Sequence, residues 1–269
     1  MNFIRLKKNI YKLLKNEKLV EELLTELIKK CIQAAKLDYK NKISYKADGT
    51  AVTRTDYIIN DLIIEWLNKY FSNIPIISEE KDFKNVIFLE KLYWIIDPID
   101  GTSSFIRGED NYTVNVALIE NGFPKLGIIG HPPTNTIWYG SNNIATVNRN
   151  GNSIKIKVSK FNNKNIRVLL SSNPDRETLK LVKKMDNAFI EKYSSSIKFC
   201  KLAEGKADIY PRLQSINKWD IAAGDAILTA AGGQLFNHNG KKFQYNYLDK
   251  QTGPFFAATS EKYLTFFVK

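Results

Sequence analysis

Apolar and polar positions along the chain predict helices first and strands afterwards. Val20, Leu23, Leu24, Leu27, Cys31 and Ala34 recur at three- and four-residue steps, with Glu21, Glu22 and Lys29 facing away, which is the pattern of an amphipathic helix. Ile59, Leu62, Ile63, Trp66, Leu67 and Tyr70 predict a second helix, with Thr55 and Asp56 at its start, where short polar side chains cap free N–H groups. Residues 74–77 are a short apolar run ending in Ser78, Glu79 and Glu80, and residues 93–96 are another, ending in Asp97, Pro98, Ile99, Asp100, Gly101 and Thr102. Both read as buried strands. Pro98 cannot donate a ladder hydrogen bond, so the second strand is expected to stop there. Residues 115–119 and 126–129 flank Glu120-Asn121-Gly122-Phe123, a hairpin signature, and 136–139 add a strand beside them. The first half therefore reads as two helices followed by an antiparallel meander.

The composition turns polar around residues 148–153, with Asn150-Gly151 as a turn, and this sets an expected division into halves at 1–150 and 151–269. Ile154, Ile156 and Val158 alternate with Lys155 and Lys157, the pattern of a half-exposed strand. A strand over 168–171, a helix over 176–185, a small helix opened by the serines at 194–196 and a strand over 207–210 follow, the last leading into Pro211 and Arg212. Asp220 stands at or near the amino end of a helix in which Ala222, Ala226, Thr229 and Gly233 form a small-residue stripe suited to close packing. Gly232-Gly233 ends that helix and 234–236 is a strand. With no repeat or long linker, the halves are expected to pack on each other.

The 269 residues are 43% hydrophobic and 12% aromatic, which excludes a disordered chain. No apolar run reaches the ~20 residues a membrane helix needs. The start lacks the apolar core and small-residue cleavage site of a signal peptide, so the protein is expected to be cytoplasmic. Cys31 and Cys200 are the only cysteines and make no disulfide framework, and His131 and His238 stand apart, which disfavours zinc. Much of the +12 formal charge comes from Arg5, Lys7, Lys8, Lys12, Lys15 and Lys18. That segment is a candidate for peripheral contact with the inner face of the cell membrane. No basic patch with interleaved aromatics is present, so no nucleic-acid polymer is expected as partner.

The chemistry sits at the strand ends. Two aspartates separated by a stiff Pro-Ile step repel each other unless a cation lies between them, and hard carboxylate oxygens suit Mg²⁺. Each acidic residue also has an ordinary reading: Asp56 and Asp220 as helix caps, and Glu79-Glu80 as solvated surface.

Taken together, Ser78-Glu79-Glu80, the WIIDPIDGT run at 94–102, the WDIAAGDAILTAAGG run at 219–233 and Asp56 after Val52-Thr53-Arg54-Thr55 resemble the inositol monophosphatase superfamily of Mg²⁺-dependent, lithium-sensitive phosphatases. Lys46-Ala47-Asp48, Phe105-Ile106, the run at 112–119, and Ser195-Ser196-Ile197-Lys198-Phe199-Cys200 through Tyr210-Pro211-Arg212 are most similar to bacterial 3'(2'),5'-bisphosphate nucleotidases. The chain departs from that group at Ser103-Ser104, where Lys-Glu is usual, and at Arg54, where a small residue is common.

The resemblance implies a layered α/β/α/β/α sugar-phosphatase fold with the site between the halves. It implies two or more Mg²⁺ ions, the first held by Glu79, Asp97 and the Ile99 carbonyl and the second by Asp97, Asp100 and Asp220. Thr102 paired to Asp56 would orient and deprotonate a water, assisted by Glu80. Glu79, Asp100, Gly101, Thr102, Ser103, Ser195, Ser196, Lys198, Arg212 and Asp220 would line the substrate. The implied reaction is removal of the 3'-phosphate from adenosine 3',5'-bisphosphate, giving AMP. An inositol or sugar monophosphatase shares the metal ligands and remains the alternative. A catalytically dead, basic membrane-surface or nucleic-acid-binding protein is the alternative of another class. Oligomeric state is not implied.

Overall fold

A computed structural model describes residues 12–37, 43–46, 49, 51–81, 91–185, 187–245 and 249–267. The basic residues Arg5, Lys7 and Lys8, and Ala47 and Asp48 of the Lys46-Ala47-Asp48 run, lie outside them. Two long helices come first, α1 (Glu17–Leu37) and α2 (Arg54–Tyr70), separated by the short antiparallel pair β1 (Ile43–Tyr45) and β2 (Ala51–Thr53). A seven-stranded sheet then runs in the order β3 (Ile76–Ser78), β4 (Leu92–Asp100), β5 (Thr113–Glu120), β6 (Phe123–His131), β7 (Thr136–Ser141), β8 (Ile144–Arg149) and β9 (Asn152–Lys155). β3 lies parallel to β4, and the rest is the expected antiparallel meander. The tight turn between β5 and β6 is Asn121-Gly122, with φ of 53° and 80°, the doubly positive geometry that matches strand twist. β8 extends the sheet beyond the predicted third strand, and β9, which overlaps the half-exposed strand expected from Ile154 but is exposed throughout, carries the same sheet past residue 150.

Alternation along the strands sorts the core into layers. Leu92, Trp94 and Ile96 of β4 and Val114, Val116 and Leu118 of β5 pack with α1 and α2. Tyr93 and Ile95 of β4 and Ala117 and Ile119 of β5 face the opposite way, toward α5 (Ile197–Ala203) and α6 (Ala222–Ala230). Both faces are covered, so these strands read as continuous apolar runs. Beyond α5 and α6 lies a five-stranded sheet in the order β11 (Ala188–Lys192), β10 (Ile166–Leu170), β12 (Ile209–Arg212), β14 (Phe255–Ala258) and β13 (Gln234–Asn237). Its outer face packs Val168, Ile209 and Phe236 against Val182 of α4 (Arg176–Lys183) and Tyr263. The layers run α/β/α/β/α.

α6 lies close upon the first sheet. A Cβ on Gly127 of β6 would stand 2.5 Å from the Ala223 carbonyl and 2.7 Å from the Ala226 Cβ. A Cβ on Gly140 of β7 would likewise stand 2.5 Å from the Ile227 Cα, so the close approach runs through Ala223, Ala226, Ile227 and Ala230, and of the 222/226/229/233 stripe expected from the sequence only Ala226 takes part in it.

Candidate active site

β4 carries its acidic residues further than its proline suggests. The strand runs through Pro98 to Asp100, with a register shift opposite β5 between Asp97 and Asp100. On the other side β3 ends at Ser78, opposite Ile96, and the Glu79 N–H reaches the Ile96 carbonyl at 3.3 Å. Pro98 therefore lies beyond the ladder that its missing N–H would interrupt. Gly101 follows at φ 94° and caps the five-residue helix α3 (Thr102–Ile106). A Cβ there would meet the Asn111 carbonyl at 2.7 Å, so both backbone angle and space require glycine.

Asp97 continues the Tyr93–Ile95 series, so its carboxylate faces the second half of the chain. Asp220 arrives from that side, at the end of a 3-10 turn over Lys218–Asp220. It does not cap α6; the residue before that helix is Ile221, and Asp220 Oδ2 accepts from the Asn217 N–H at 3.1 Å. One oxygen each from Glu79, Asp97 and Asp220 lie within 4.8 Å of one another. Both oxygens of Asp97 are buried without a hydrogen-bond partner. Burial first, then the charges of Glu79, Asp100 and Asp220, raises the Asp97 pKa well above the usual carboxylate range. Asp220 is raised by burial and by Asp100 and Glu79. Burial raises Asp100 too, against the pull of Lys198, Ser196 and Asn115. Mutually repelling carboxylates with orphaned oxygens match a hard, oxygen-seeking cation such as Mg²⁺.

Asp56 and Thr102 meet beside this cluster. Thr53 is the N-cap of α2, and Asp56 Oδ2 accepts from the Thr53 N–H at 2.8 Å and its hydroxyl at 2.6 Å. The other oxygen, Oδ1, is 3.2 Å from Thr102 Oγ1, which also lies 3.0 Å from the Ile99 carbonyl. Asp56 thus holds the helix start with one oxygen and Thr102 with the other, and burial raises its pKa. The Glu80 side chain is buried beside Glu79 and does not line the open cleft. Its Oε1 accepts from Lys46 Nζ at 2.8 Å, and burial pushes its pKa up to about 7. Lys46 also reaches Glu79 Oε1 at 3.0 Å.

A cleft of about 730 Å³ opens over the acidic cluster. Gly101, Thr102 and Ser103 line one wall, and Ser195, Lys198 and Arg212 the other. Arg212 shares its strand face with Tyr210, which points at α5. It donates to Ser171 Oγ and, at 3.1 Å, to the Gln214 carbonyl. Lys198 is buried under Tyr210 and donates to the Tyr193 and Ser195 carbonyls at 3.0 and 2.6 Å. Burial pushes its pKa down to about 8, although Asp100 opposes the shift. Ser195 has φ 53° and a buried, unpartnered hydroxyl.

Ser196 departs from its expected place on the substrate wall. It is buried, with its hydroxyl 2.8 Å from Asp100 Oδ2, Asn115 Nδ2 and the Asp220 carbonyl alike. It ties the ligand-bearing segments together instead of facing the cleft. Asn115 and Lys46 carry contacts that the sequence reading missed. Asn115 sits on the same face of β5 as Ala117 and Ile119, opposite Asp97, and that alternation was the available signal.

The profile of the inositol monophosphatase family matches residues 16–263. The chain is 37% identical over 207 residues to the 3'(2'),5'-bisphosphate nucleotidase CysQ of Buchnera aphidicola, covering 76% of this chain and 77% of that protein. It is 33% identical over 201 residues to CysQ of Escherichia coli K12, covering 74% and 81%. Among solved structures, CysQ from Bacteroides thetaiotaomicron superposes with a TM-score of 0.75 at 28% identity, covering 86% of this chain and 93% of that one.

Proposed function

The chain belongs to the inositol monophosphatase family, and from that premise we propose that it removes the 3'-phosphate of adenosine 3',5'-bisphosphate, giving AMP and phosphate, with Mg²⁺ as cofactor. One observation carries the reading: the cleft holds a buried acidic cluster with orphaned Asp97 oxygens on its floor and the cations Lys198 and Arg212 on its wall. The relatives named as bisphosphate nucleotidases support the choice of substrate.

Glu79, Asp97 and the Ile99 carbonyl would hold one Mg²⁺, and Asp97, Asp100 and Asp220 a second. Bound Mg²⁺ would neutralise phosphate charge, activate the attacking water and stabilise the departing alkoxide. The Thr102 hydroxyl orients that water by accepting from it, and passes its own proton to Asp56 Oδ1. Glu80, braced by Lys46, assists from the side through a neighbouring water. The N–H groups of Gly101, Thr102 and Ser103, at the start of α3, meet the scissile phosphate. Asp220 also meets the sugar, while Ser195, Lys198 and Arg212 receive the second phosphate, Arg212 with its remaining donors. Ser196 positions Asp100 and Asp220.

Turnover of adenosine 3',5'-bisphosphate, inositol 1-phosphate and fructose 1,6-bisphosphate tests the assignment. The nucleotide should have the highest kcat/KM, and activity should vanish with a chelator. A preference for inositol 1-phosphate would instead make the chain an inositol monophosphatase.

Among the described residues no helix is long and apolar enough to cross a membrane. We place the protein in the cytoplasm, with the basic segment 1–18 as a peripheral membrane contact. Liposome sedimentation of a chain lacking that segment tests the contact, and an unchanged bound fraction would remove it.

A further inference from the structure

The cleft wall on the side of α3 carries a cation that the proposed chemistry leaves unused. Arg107 follows α3 directly and lines the cleft beside Ser103, Ser104 and Ile106. Its side chain is 56% exposed. Glu109 grips it along one edge, Nε to Oε1 at 2.7 Å and Nη2 to Oε2 at 2.9 Å, and Ser104 Oγ lies 3.4 Å from Nη2. This bidentate clamp fixes the plane of the guanidinium. It also neutralises the charge, which makes Arg107 a poor anchor for a phosphate. The guanidinium among the cleft-lining groups is thus flat, delocalised and held along one edge by two hydrogen bonds. Ser103, one helical turn before Arg107, is too short to cover that guanidinium.

A fixed guanidinium plane stacks well on a planar π system. We infer that the face of Arg107 is the stacking surface for the nucleobase of the substrate. The inference rests on the nucleotide reading above, and it gives Arg107 a different task from Lys198 and Arg212, which meet phosphate. Base stacking of this kind, removed by alanine, commonly costs enough binding to change affinity by about tenfold or more.

Steady-state kinetics on two substrates test it: adenosine 3',5'-bisphosphate, and an abasic analogue, 1-deoxyribose 3,5-bisphosphate. Arg107→Ala should raise KM for the nucleotide about tenfold and leave kcat, and KM for the abasic analogue, unchanged. Arg107→Lys keeps the charge and loses the plane, so it should behave like the alanine variant. Glu109→Gln loosens the clamp and should raise the nucleotide KM by a smaller factor. If Arg107→Lys kept the original KM, the residue would act through charge and the stacking role would be wrong. An unchanged KM in Arg107→Ala, or an equal rise on both substrates, would overturn it as well. Failure of the unmodified enzyme to hydrolyse the nucleotide would overturn the underlying reading, and is seen before any variant is made.

Discussion

Thr102 Oγ1 stands 3.2 Å from Asp56 Oδ1, while Asp56 Oδ2 holds the start of α2 through Thr53. One carboxylate therefore serves both the proposed proton path and a helix cap, and its substitution mixes two effects. Thr102→Ala separates them. It should lower kcat about 10²- to 10⁴-fold with the melting temperature nearly unchanged. Asp56→Asn should lower kcat comparably and also shift the melting temperature, because it weakens the contact to Thr53 and removes a buried charge. Steady-state rates and thermal melts of both variants check the pair.

The acidic cluster should trade stability for metal binding. Asp97 is buried without a partner beside Glu79, Asp100 and Asp220. In chelator, Asp97→Asn should melt above the unmodified protein, because a buried charge and its repulsion are gone. Adding Mg²⁺ should reverse that order, since saturation at a hundredfold over Kd stabilises the intact site by about 2.7 kcal/mol. Identical melting shifts in the two proteins would show that Asp97 does not hold the ion.

Asp100→Asn leaves Asp97 and Asp220 in place and removes one charge of the proposed second ion site. Phosphatase activity should fall about a thousandfold or more. Near-normal Mg²⁺-dependent turnover would remove Asp100 from the ligand set.

Arg212 should discriminate by substrate charge. It donates to Ser171 and to the Gln214 carbonyl at the cleft wall. Arg212→Ala should reduce kcat/KM for adenosine 3',5'-bisphosphate about tenfold or more through KM, and for a monophosphate much less. Equal losses on both would reassign the residue to local structure.

Asp225 gives a stability prediction away from the cleft. It is buried in α6, accepting from the Tyr245 hydroxyl and from Thr229, both at 3.1 Å. Burial pushes its pKa up from 3.8 to about 7, and hydrogen bonds from Tyr245 and Thr229 and the charge of Lys242 only partly oppose it. The folded chain then holds this proton where the unfolded chain has released it, so stability falls as pH rises from about 3.8 to about 7. Asp225→Asn should melt higher than the unmodified protein at pH 8 and lose that advantage toward pH 4. Melting curves at several pH values measure it.

The acidic strand ends were legible because apolar runs delivered into carboxylates are unusual in any sequence. Glu79, Asp97 and Asp220, far apart in the chain, do converge within 4.8 Å. What the sequence hid is of two kinds. Register is one: Pro98 looked like a strand end, and only the early stop of β3 at Ser78 explains why β4 continues past it. Tertiary partnership is the other. Nothing local marks Lys46 as the partner of Glu79 and Glu80, or Ser196 as a tie between Asp100 and Asp220, because each contact depends on how separate elements dock. β11 and β14 escaped notice for a similar reason. β11 has an exposed edge with little apolar alternation, and β14 is a short buried run that length alone does not distinguish from a loop.

The Ser196 hydroxyl has a consequence for how the enzyme comes into being. It meets an aspartate 96 residues away in the chain, across the junction of the two sheets. Contacts so distant in sequence close late, after local hairpins and helices have formed. The meander from β4 to β9 can assemble from neighbouring hairpins, but the acidic cluster exists only once the second sheet has docked. During refolding, recovery of Mg²⁺ binding should therefore lag behind recovery of secondary structure, making the ion a reporter of the final assembly step.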